Sequence, residues 1–227
     1  MNEKKLDPLL AAMGLLFKPH PWHGVSIGDD APEVVTAFIE VVPTDTVKYE
    51  IDKVSGYLTV DRPQQFSNIC PALYGLLPQT YCAEQVAALC SERTGRPGIV
   101  GDKDPLDICV LAEKTIAHGD LLLRAVPIGG LRMLDGDEAD DKIVAVLEGD
   151  ALYGRYQDIG DCPESLIRRL EHYFLTYKQA PGEPERSTEI TDIYDREEAF
   201  EVIRRSQSDY DRRFGELHHL LHALLTD

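Results

Sequence analysis

The chain has 227 residues, of which 40 are acidic and 23 are Lys or Arg, so its formal net charge is −17. This charge argues against nucleic acid or an anionic membrane surface as the main partner, but it is compatible with a phosphate ligand where cations help locally. No stretch approaches 18 consecutive apolar residues and no signal peptide is evident, which predicts a cytoplasmic protein. Five cysteines without C-x-x-C spacing argue against disulfides or zinc and are expected to be mostly buried thiols.

Two patterns precede the first predicted hairpin. Residues 6–17 have Leu, Met and Phe at helical spacing, which predicts a short amphipathic helix. The run from Val34 to Val42 is dominated by apolar and β-branched residues and predicts a strand, in which Glu40 is the one acid. We therefore expect an N-terminal extension over residues 1–33 and a main domain from residue 34.

Charged residues occur within the predicted hairpin. Residues 47–52 and 57–61 predict two strands joined by a Ser-Gly turn, and a period of two places Lys48 and Glu50 on one face. By itself this pair is either a surface ion pair worth under about 1 kcal/mol or part of a charged site. Arg62 ends the second strand, where its guanidinium can reach whatever the sheet faces.

Three acids crowd at the start of a predicted buried strand. The apolar run at Leu106 and Ile108–Leu111 predicts that strand, and Asp102, Asp104 and Asp107 lie at its entry. At separations of about 5 Å and an effective dielectric near 20, each carboxylate pair repels by roughly 3 kcal/mol, so a divalent cation is a plausible counter-charge. A solvated acidic turn is the alternative. An EF-hand is excluded because Asp107 stands where that loop needs Gly.

Three further strands are predicted after this turn, at Leu121–Pro127, Leu131–Leu134 and Ile143–Leu147. The connection between the last two contains five acids in seven residues, which is typical of a solvated hairpin turn. Added to the earlier acids, Asp135 and Asp140 give an oxygen-only ligand set of the kind that Mg²⁺ or Mn²⁺ prefers.

Two segments of the chain have helical patterns, one before the acidic turn and one after the last predicted strand. Residues 83–91 are helix-forming and are followed by Gly-Arg-Pro-Gly. Pro163 begins a second helix that is expected to pack across the sheet. Its apolar stripe consists of Leu166, Leu170, Phe174 and Tyr177.

The C-terminal part divides into a linker and a long helix. Residues 180–194 are polar and rich in Pro and Gly, which predicts a linker. Asp195 and Glu198 form a capping-box start, and an apolar stripe continues over roughly 30 residues to Leu224. Such a stripe outruns one small domain, so its far end is expected to serve a homo-oligomer contact. Short strands followed by helices predict an α+β fold with a mostly antiparallel sheet.

The stretch Asp102-Lys-Asp-Pro-Leu-Asp107 resembles the D-x-D-P-x-D signature of the family I soluble inorganic pyrophosphatases. The resemblance covers roughly residues 38–180, and two positions depart from it: Lys103 replaces a small turn residue and Cys70 replaces a tyrosine. Further stretches occur in the family's order, namely Lys48-Tyr-Glu50, Ser55-Gly56, Val60-Asp-Arg62, Pro71 to Gly75, Asp135 to Lys142 and Tyr177-Lys178.

This resemblance implies a five-stranded OB-like β-barrel with flanking C-terminal helices. The pyrophosphatase domain would span residues 34–180 with an insertion at 81–98, and residues 181–227 would be a linker and a helix packed on the domain or on an oligomer interface. The implied activity is Mg²⁺-dependent hydrolysis of pyrophosphate to two phosphates by metal-activated water.

The resemblance also implies a role for each site residue. Asp104 would be the catalytic base, Glu40 and Glu50 would support the site from behind, and Tyr177 and Lys178 would act on the departing phosphate. The metal ligands would be Asp102, Asp107, Asp135 and Asp140. Phosphate oxygens would be bound by Lys48, Arg62, Tyr74, Lys142, Tyr177 and Lys178.

Two alternatives are open at this point. The same acids could form a structural calcium site in a non-catalytic OB-like domain, or the chain could be another Mg²⁺-dependent phosphohydrolase. A nucleotide hydrolase of the P-loop class is not indicated, because the sequence contains no G-x-x-x-x-G-K-[ST] motif.

Overall fold

The structure is a computed structural model that describes residues 18–64, 67–178 and 188–226, with side chains in the last segment as far as residue 215. The helix predicted at residues 6–17, the first part of the predicted linker and the far end of the long apolar stripe lie outside what is described. Among the described residues, no helix combines the length and apolar character that a membrane crossing requires.

Strands dominate the described part of the chain, and three α-helices flank them. The helices are α1 (Glu84–Thr94), α2 (Glu164–Thr176) and α3 (Arg196–Thr226), with a short 3-10 turn at Ile159–Asp161. The strands are β1 (Val35–Val41), β2 (Val47–Ile51), β3 (Leu58–Pro63), β4 (Leu73–Leu76), β5 (Val100–Gly101), β6 (Asp107–Leu111), β7 (Leu121–Asp135), β8 (Glu138–Ala139), β9 (Lys142–Leu147) and β10 (Thr188–Tyr194).

Five of these strands follow one another in a continuous ring of pairings. Strand β1 pairs antiparallel with β4 on one side and with β7 on the other. The ring continues antiparallel from β4 to β6 and from β9 to β7, whereas β6 and β9 run parallel. The predicted α+β, mostly antiparallel, OB-like arrangement of five strands is therefore confirmed, and β2 and β3 form the predicted hairpin beside it.

The prediction of two separate strands at Leu121–Pro127 and Leu131–Leu134 is wrong, because β7 is one strand of 15 residues. The Gly129-Gly130 pair lies between the two predicted strands, and these glycines mark a close approach by neighbouring chain segments. A Cβ at Gly130 would overlap the ring of Tyr194. The register shifts between Pro127 and Gly129, so the strand bends at that point without ending.

The prediction of a linker as far as residue 194 is also wrong, since Thr188–Tyr194 forms β10 and pairs antiparallel with β7. This segment contains β-branched and aromatic residues that suit a strand. The prolines and glycine before it gave the whole stretch the composition of a linker. The long helix begins one residue after Asp195, whose Oδ1 accepts the N–H of Glu198 at 3.0 Å, as the capping pattern predicted.

Helix α2 packs across the sheet, as predicted from its stripe. Leu170, Phe174 and Tyr177 are buried in one cluster with residues of β6, β7 and β9, and Leu166 is partly buried there. On the other side, α1 and α3 contribute Val86 and Val202 to a second cluster that includes residues of β1, β6, β7 and β9. Helix α2 thus covers one side of the strands, and α1 and α3 cover the other. All five cysteines are free, and all but Cys162 are buried, as predicted.

We predict that Gly130→Ala lowers the free energy of unfolding by about 1–3 kcal/mol, because the added Cβ must displace Tyr194 or separate β10 from β7. Urea unfolding followed by circular dichroism measures this change. Gly215→Ala is the control, since Gly215 lies within α3 and a Cβ there meets nothing within 4 Å. It should gain about 0.5–1 kcal/mol from helix propensity. Equal stability of Gly130→Ala and the wild type would contradict the close approach.

Candidate active site

A cavity of about 300 Å³ opens at one end of the ring, bordered by the β2–β3 hairpin and by the segment after α2. Every site residue predicted from the sequence lines it. The acids are Glu40, Glu50, Asp102, Asp104, Asp107, Asp135 and Asp140. The basic and hydroxyl groups are Lys48, Arg62, Tyr74, Lys142, Tyr177 and Lys178.

The acidic turn (residues 102–107) connects β5 to β6 and carries three of these acids. Asp102 Oδ1 accepts the N–H of Asp104 at 2.9 Å, which tightens the turn. Lys103 has φ +66°, in the left-handed region that costs a residue with a side chain roughly 1–2 kcal/mol. Its N–H donates to Cys82 O at 3.0 Å. The turn therefore has the backbone that a small residue would adopt, although Lys103 stands there.

Lys142 lies buried between two of the predicted metal ligands. The parallel pairing of β6 and β9 places Lys142 opposite Asp107, and Lys142 Nζ is 2.5 Å from Asp107 Oδ2. The ammonium also contacts Asp140, two residues earlier. Burial by itself lowers the pKa of Lys142, but the charges of Asp107 and Asp140 outweigh it and raise that pKa well above its ordinary value. Tyr74 OH donates to Asp107 Oδ2 at 2.6 Å.

The carboxyl groups of Asp102 and Asp140 near Lys142 are crowded and desolvated. Burial, and then the charge of Asp140, raise the pKa of Asp102 to about 8. Burial also raises the pKa of Asp140, although Lys142 opposes the shift. Such a group of crowded, desolvated carboxylates, without histidine or thiolate, fits a hard divalent cation such as Mg²⁺. Within the described ranges, no three acidic, His or Cys side chains converge closely enough to form a complete metal site.

The basic side chains of the β2–β3 hairpin contact acids of the same hairpin. Lys48 Nζ contacts Glu50 and lies 3.2 Å from Asp61 Oδ2, so the predicted pair on one strand face is present. Arg62 Nη1 is 2.5 Å from the same Asp61 oxygen. Each base therefore has an acidic partner that a phosphate oxygen could replace.

An ion pair also attaches the segment after α2 to the end of β7. Lys178 Nζ lies 2.6 Å from Asp135 Oδ2, although these residues are far apart in the chain. The guanidinium of Arg62 lies over the ring of Tyr177, 5.6 Å from its centroid. The predicted Tyr-Lys pair thus reaches both the acidic and the basic wall. The Cys70 thiol, by contrast, is buried in the core beside Tyr173 and does not line the cavity.

Sequence reasoning missed three charged residues of the cavity: Lys53, Asp61 and Glu138. Lys53 Nζ contacts Asp104 from the turn of the β2–β3 hairpin, and only the folded hairpin brings them together. Asp61 belongs to the Val-Asp-Arg stretch that carried part of the resemblance. Its position directly before Arg62 could have drawn attention to it. Glu138 was hidden among five acids that looked alike.

Glu40 is a buried acid at the back of the cavity. It is 5% exposed, and its Oε1 accepts the N–H of Ile51 at 2.8 Å, which joins β1 to the hairpin. Burial raises the pKa of Glu40 to about 8 even though this hydrogen bond favours the carboxylate. Glu40 thus holds strand β2, which carries Lys48 and Glu50, against the ring.

A ring of strands whose mouth gathers carboxylates together with the ammonium and guanidinium groups that pair with them suits an enzyme that acts on phosphate compounds. The chain belongs to the inorganic pyrophosphatase family, whose family model matches residues 37–211. It is an inorganic diphosphatase that hydrolyses pyrophosphate to phosphate, by a reaction that in this family depends on metal.

The comparisons extend over most of the chain. An inorganic pyrophosphatase of Chlamydia caviae is 52% identical over 200 residues, which are 86% of this chain and 92% of that protein. Soluble inorganic pyrophosphatase 1 of Arabidopsis thaliana is 32% identical, covering 84% of this chain and 80% of its own. The crystal structure of inorganic pyrophosphatase from Thermus thermophilus superposes with a TM-score of 0.69 at 31% identity, covering 82% of this chain and 97% of that one. These similarities favour the pyrophosphatase interpretation over the two alternatives.

We predict that Glu40→Gln changes how stability depends on pH in the metal-free protein. With its pKa raised to about 8, folded Glu40 keeps a proton that the unfolded chain loses above about pH 4.5. The folded state then binds more protons, so the free energy of unfolding falls as pH rises between these values. Glu40→Gln should therefore be more stable than the wild type at pH 8.5, with little or no such gain at pH 4.5.

Chemical unfolding in EDTA at several pH values measures this difference. Glu92→Gln, which removes a carboxylate whose side chain is 65% exposed, controls for the loss of charge alone. A Glu40→Gln curve parallel to that of the wild type would show that Glu40 is not held in its protonated form.

Proposed function

We propose that the metal of this enzyme is Mg²⁺. The observation that carries this proposal is that one cavity gathers all the predicted acids together with the bases that contact them. Oxygen-only donors suit Mg²⁺ or Mn²⁺, and Mg²⁺ is reluctant to lose its water, which suits a site open to solvent. The residues that would hold the metal are Asp102, Asp107, Asp135 and Asp140.

When bound, Mg²⁺ would supply charge neutralisation for pyrophosphate and lower the pKa of the attacking water. We assign the binding of pyrophosphate oxygens to Lys48, Arg62 and Lys142, whose cationic groups now contact Asp61, Asp107 and Asp140. Exchanging these carboxylates for phosphate oxygens keeps each cation paired. The cations then oppose the negative charge that develops as the bond between the phosphates breaks.

Asp104 is assigned as the base that takes the proton from water. Its side chain is 45% exposed and contacts Lys53, whereas Asp107 and Asp140 contact buried Lys142. An accessible carboxylate next to a cation can accept a proton at Oδ and release it to solvent. Tyr177 and Lys178, on the far side of the cavity, are assigned to the departing phosphate, which the Lys178 ammonium would stabilise. Tyr74 and Glu50 would hold Asp107 and Lys48 in place.

A homo-oligomer in the cytoplasm also belongs to this proposal. Helix α3 has 31 residues and is therefore about 46 Å long, which exceeds what packing on one ring of strands requires. Light scattering of the full chain would test the assembly.

We predict that Asp107→Asn reduces both the apparent affinity for Mg²⁺ and the rate of phosphate release from pyrophosphate. The substitution removes the charge that Lys142 and Tyr74 contact and leaves Lys142 with one acidic partner. A loss of at least about 10²-fold in kcat/KM is expected, as for an interaction made in the transition state. EDTA should abolish wild-type activity and added Mg²⁺ should restore it.

The matched control is Asp192→Asn, because Asp192 is exposed on β10 and does not line the cavity. It should retain wild-type activity and the same response to Mg²⁺. Full activity of Asp107→Asn at limiting Mg²⁺ would contradict the ligand assignment.

We predict a different pattern for Asp104→Asn. A base that only removes a proton contributes something like 10²- to 10⁴-fold to kcat, while metal and substrate affinity change little. Steady-state kinetics with Mg²⁺ titration by calorimetry separates the two effects. A large loss of Mg²⁺ affinity with near-normal kcat at saturating metal would make Asp104 a ligand and remove it as the base.

A further inference from the structure

A short piece of chain, the backing segment (residues 80–83), lies directly behind the acidic turn. Gly101 permits this close approach, since a Cβ at that position would overlap Cys82 O. The backing segment therefore fixes the backbone on which Asp102 and Asp104 are carried. Three hydrogen bonds join the two: Leu106 N–H to Thr80 Oγ1 (2.9 Å), Cys82 N–H to Asp104 O (2.9 Å) and Lys103 N–H to Cys82 O (3.0 Å).

The other side of the backing segment is held by helix α3. Tyr81 N–H donates to Ser206 O at 2.9 Å, and Ala83 N–H donates to Asp209 Oδ2 at 3.0 Å. Tyr81 and Ala83 thus donate hydrogen bonds to α3, whereas Cys82, which lies between them, donates to the acidic turn. Hydrogen bonds through the backing segment consequently connect α3 to the backbone of Asp104, although none of the α3 side chains described, up to residue 215, lines the cavity.

Asp209 also supplies the N-terminal cap that α1 lacks. The residue at the cap position is Ala83, which has no side-chain acceptor for the free N–H groups of the first turn. Asp209 accepts from Gln85 N at 2.9 Å and from Val86 N at 3.2 Å in addition to Ala83 N. Its carboxylate is buried, 1% exposed, and is stabilised there by these donors and the positive end of the helix dipole.

Helix α1 is attached to α3 at its other end by an ordinary ion pair. The Arg93 guanidinium donates to both carboxylate oxygens of Glu198, at 2.8 and 3.0 Å. The two attachments hold the same pair of helices, but only the one at Asp209 contacts the backing segment. This difference allows helix packing to be separated from positioning of the acidic turn.

We propose that Asp209 is a positioning residue for pyrophosphate hydrolysis, acting through the backing segment on the acidic turn. The inference rests on the roles proposed above for Asp102 and Asp104. Removing the carboxylate leaves the N–H groups of Ala83, Gln85 and Val86 without this acceptor, and the loss at Ala83 releases that end of the backing segment from α3. A shift of about 1 Å in a catalytic group can cost on the order of 10²-fold in rate.

The test uses the full chain with Asp209→Ala, Asp209→Asn and the control Arg93→Gln. Hydrogen exchange of the metal-free protein reports the amides of Cys82, Lys103 and Leu106, and kinetics at saturating Mg²⁺ reports kcat and KM. In Asp209→Ala these amides should exchange at least about 10-fold faster, as expected for local opening. The kcat value should fall by about 10-fold or more with little change in KM.

Asp209→Asn should lie between Asp209→Ala and the wild type, because its one remaining carbonyl oxygen can still accept. Arg93→Gln should loosen the end of α1 while leaving exchange in the acidic turn and kcat unchanged. The inference is overturned if Asp209→Ala keeps normal exchange in the turn, if the turn loosens without a fall in kcat, or if Arg93→Gln has the same effects.

A second pair of variants applies if Asp209→Ala does not fold. Thr80→Val removes the acceptor of Leu106 N–H, and Thr80→Ser restores it. If Thr80→Val loosens the turn and lowers kcat, and Thr80→Ser restores both, the backing segment controls the acidic turn. Asp209→Asn would then decide whether α3 acts on the turn through the backing segment. Failure of the proposed function is recognised separately, since Asp104→Asn would then keep its kcat whatever the result at Asp209.

Discussion

The active site depends on one buried ammonium group. Lys142 is 1% exposed, and its charge is stable there only because Asp107 and Asp140 lie beside it. This contact results from the single parallel pairing within the ring. Strands β6 and β9 pair in a register that places Lys142 directly across from Asp107. The other bases of the cavity are paired as well: Lys48 contacts Glu50 on its own strand and Asp61 on the neighbouring strand, and Lys178 contacts Asp135.

Much of this arrangement could be predicted from the sequence, for identifiable reasons. Crowded acids at the entry of an apolar run mark the acidic turn, and alternation places Lys48 with Glu50. The roles of these residues came from the family resemblance, because spacing alone did not separate a metal site from a solvated turn. Lys53 and Asp209 could not be found, since each acts through a contact between segments distant in the chain.

The errors in the fold have a common cause. The two strands predicted in place of β7 left out the Gly129-Gly130 pair, and the prolines and glycine before β10 led to the linker prediction. In the structure, the glycines make room for Tyr194, which is the last residue of the strand that the linker interpretation had removed. The two mistakes are therefore one missed contact. Lys103 shows the reverse case, in which a residue unsuited to the left-handed region is held there by its bond to Cys82.

Strand β7 pairs with β1, β8, β9 and β10, which come from nearly the whole length of the described chain. During synthesis, β1, β4 and β6 emerge first, and the ring cannot close until β7 and β9 have followed. Before closure, β1 and β6 expose unpaired backbone edges and Asp107 lacks the ammonium that balances it. The ring and its cavity can therefore close only after β7 and β9 have been made, and until then the strand edges that these two will cover lie open.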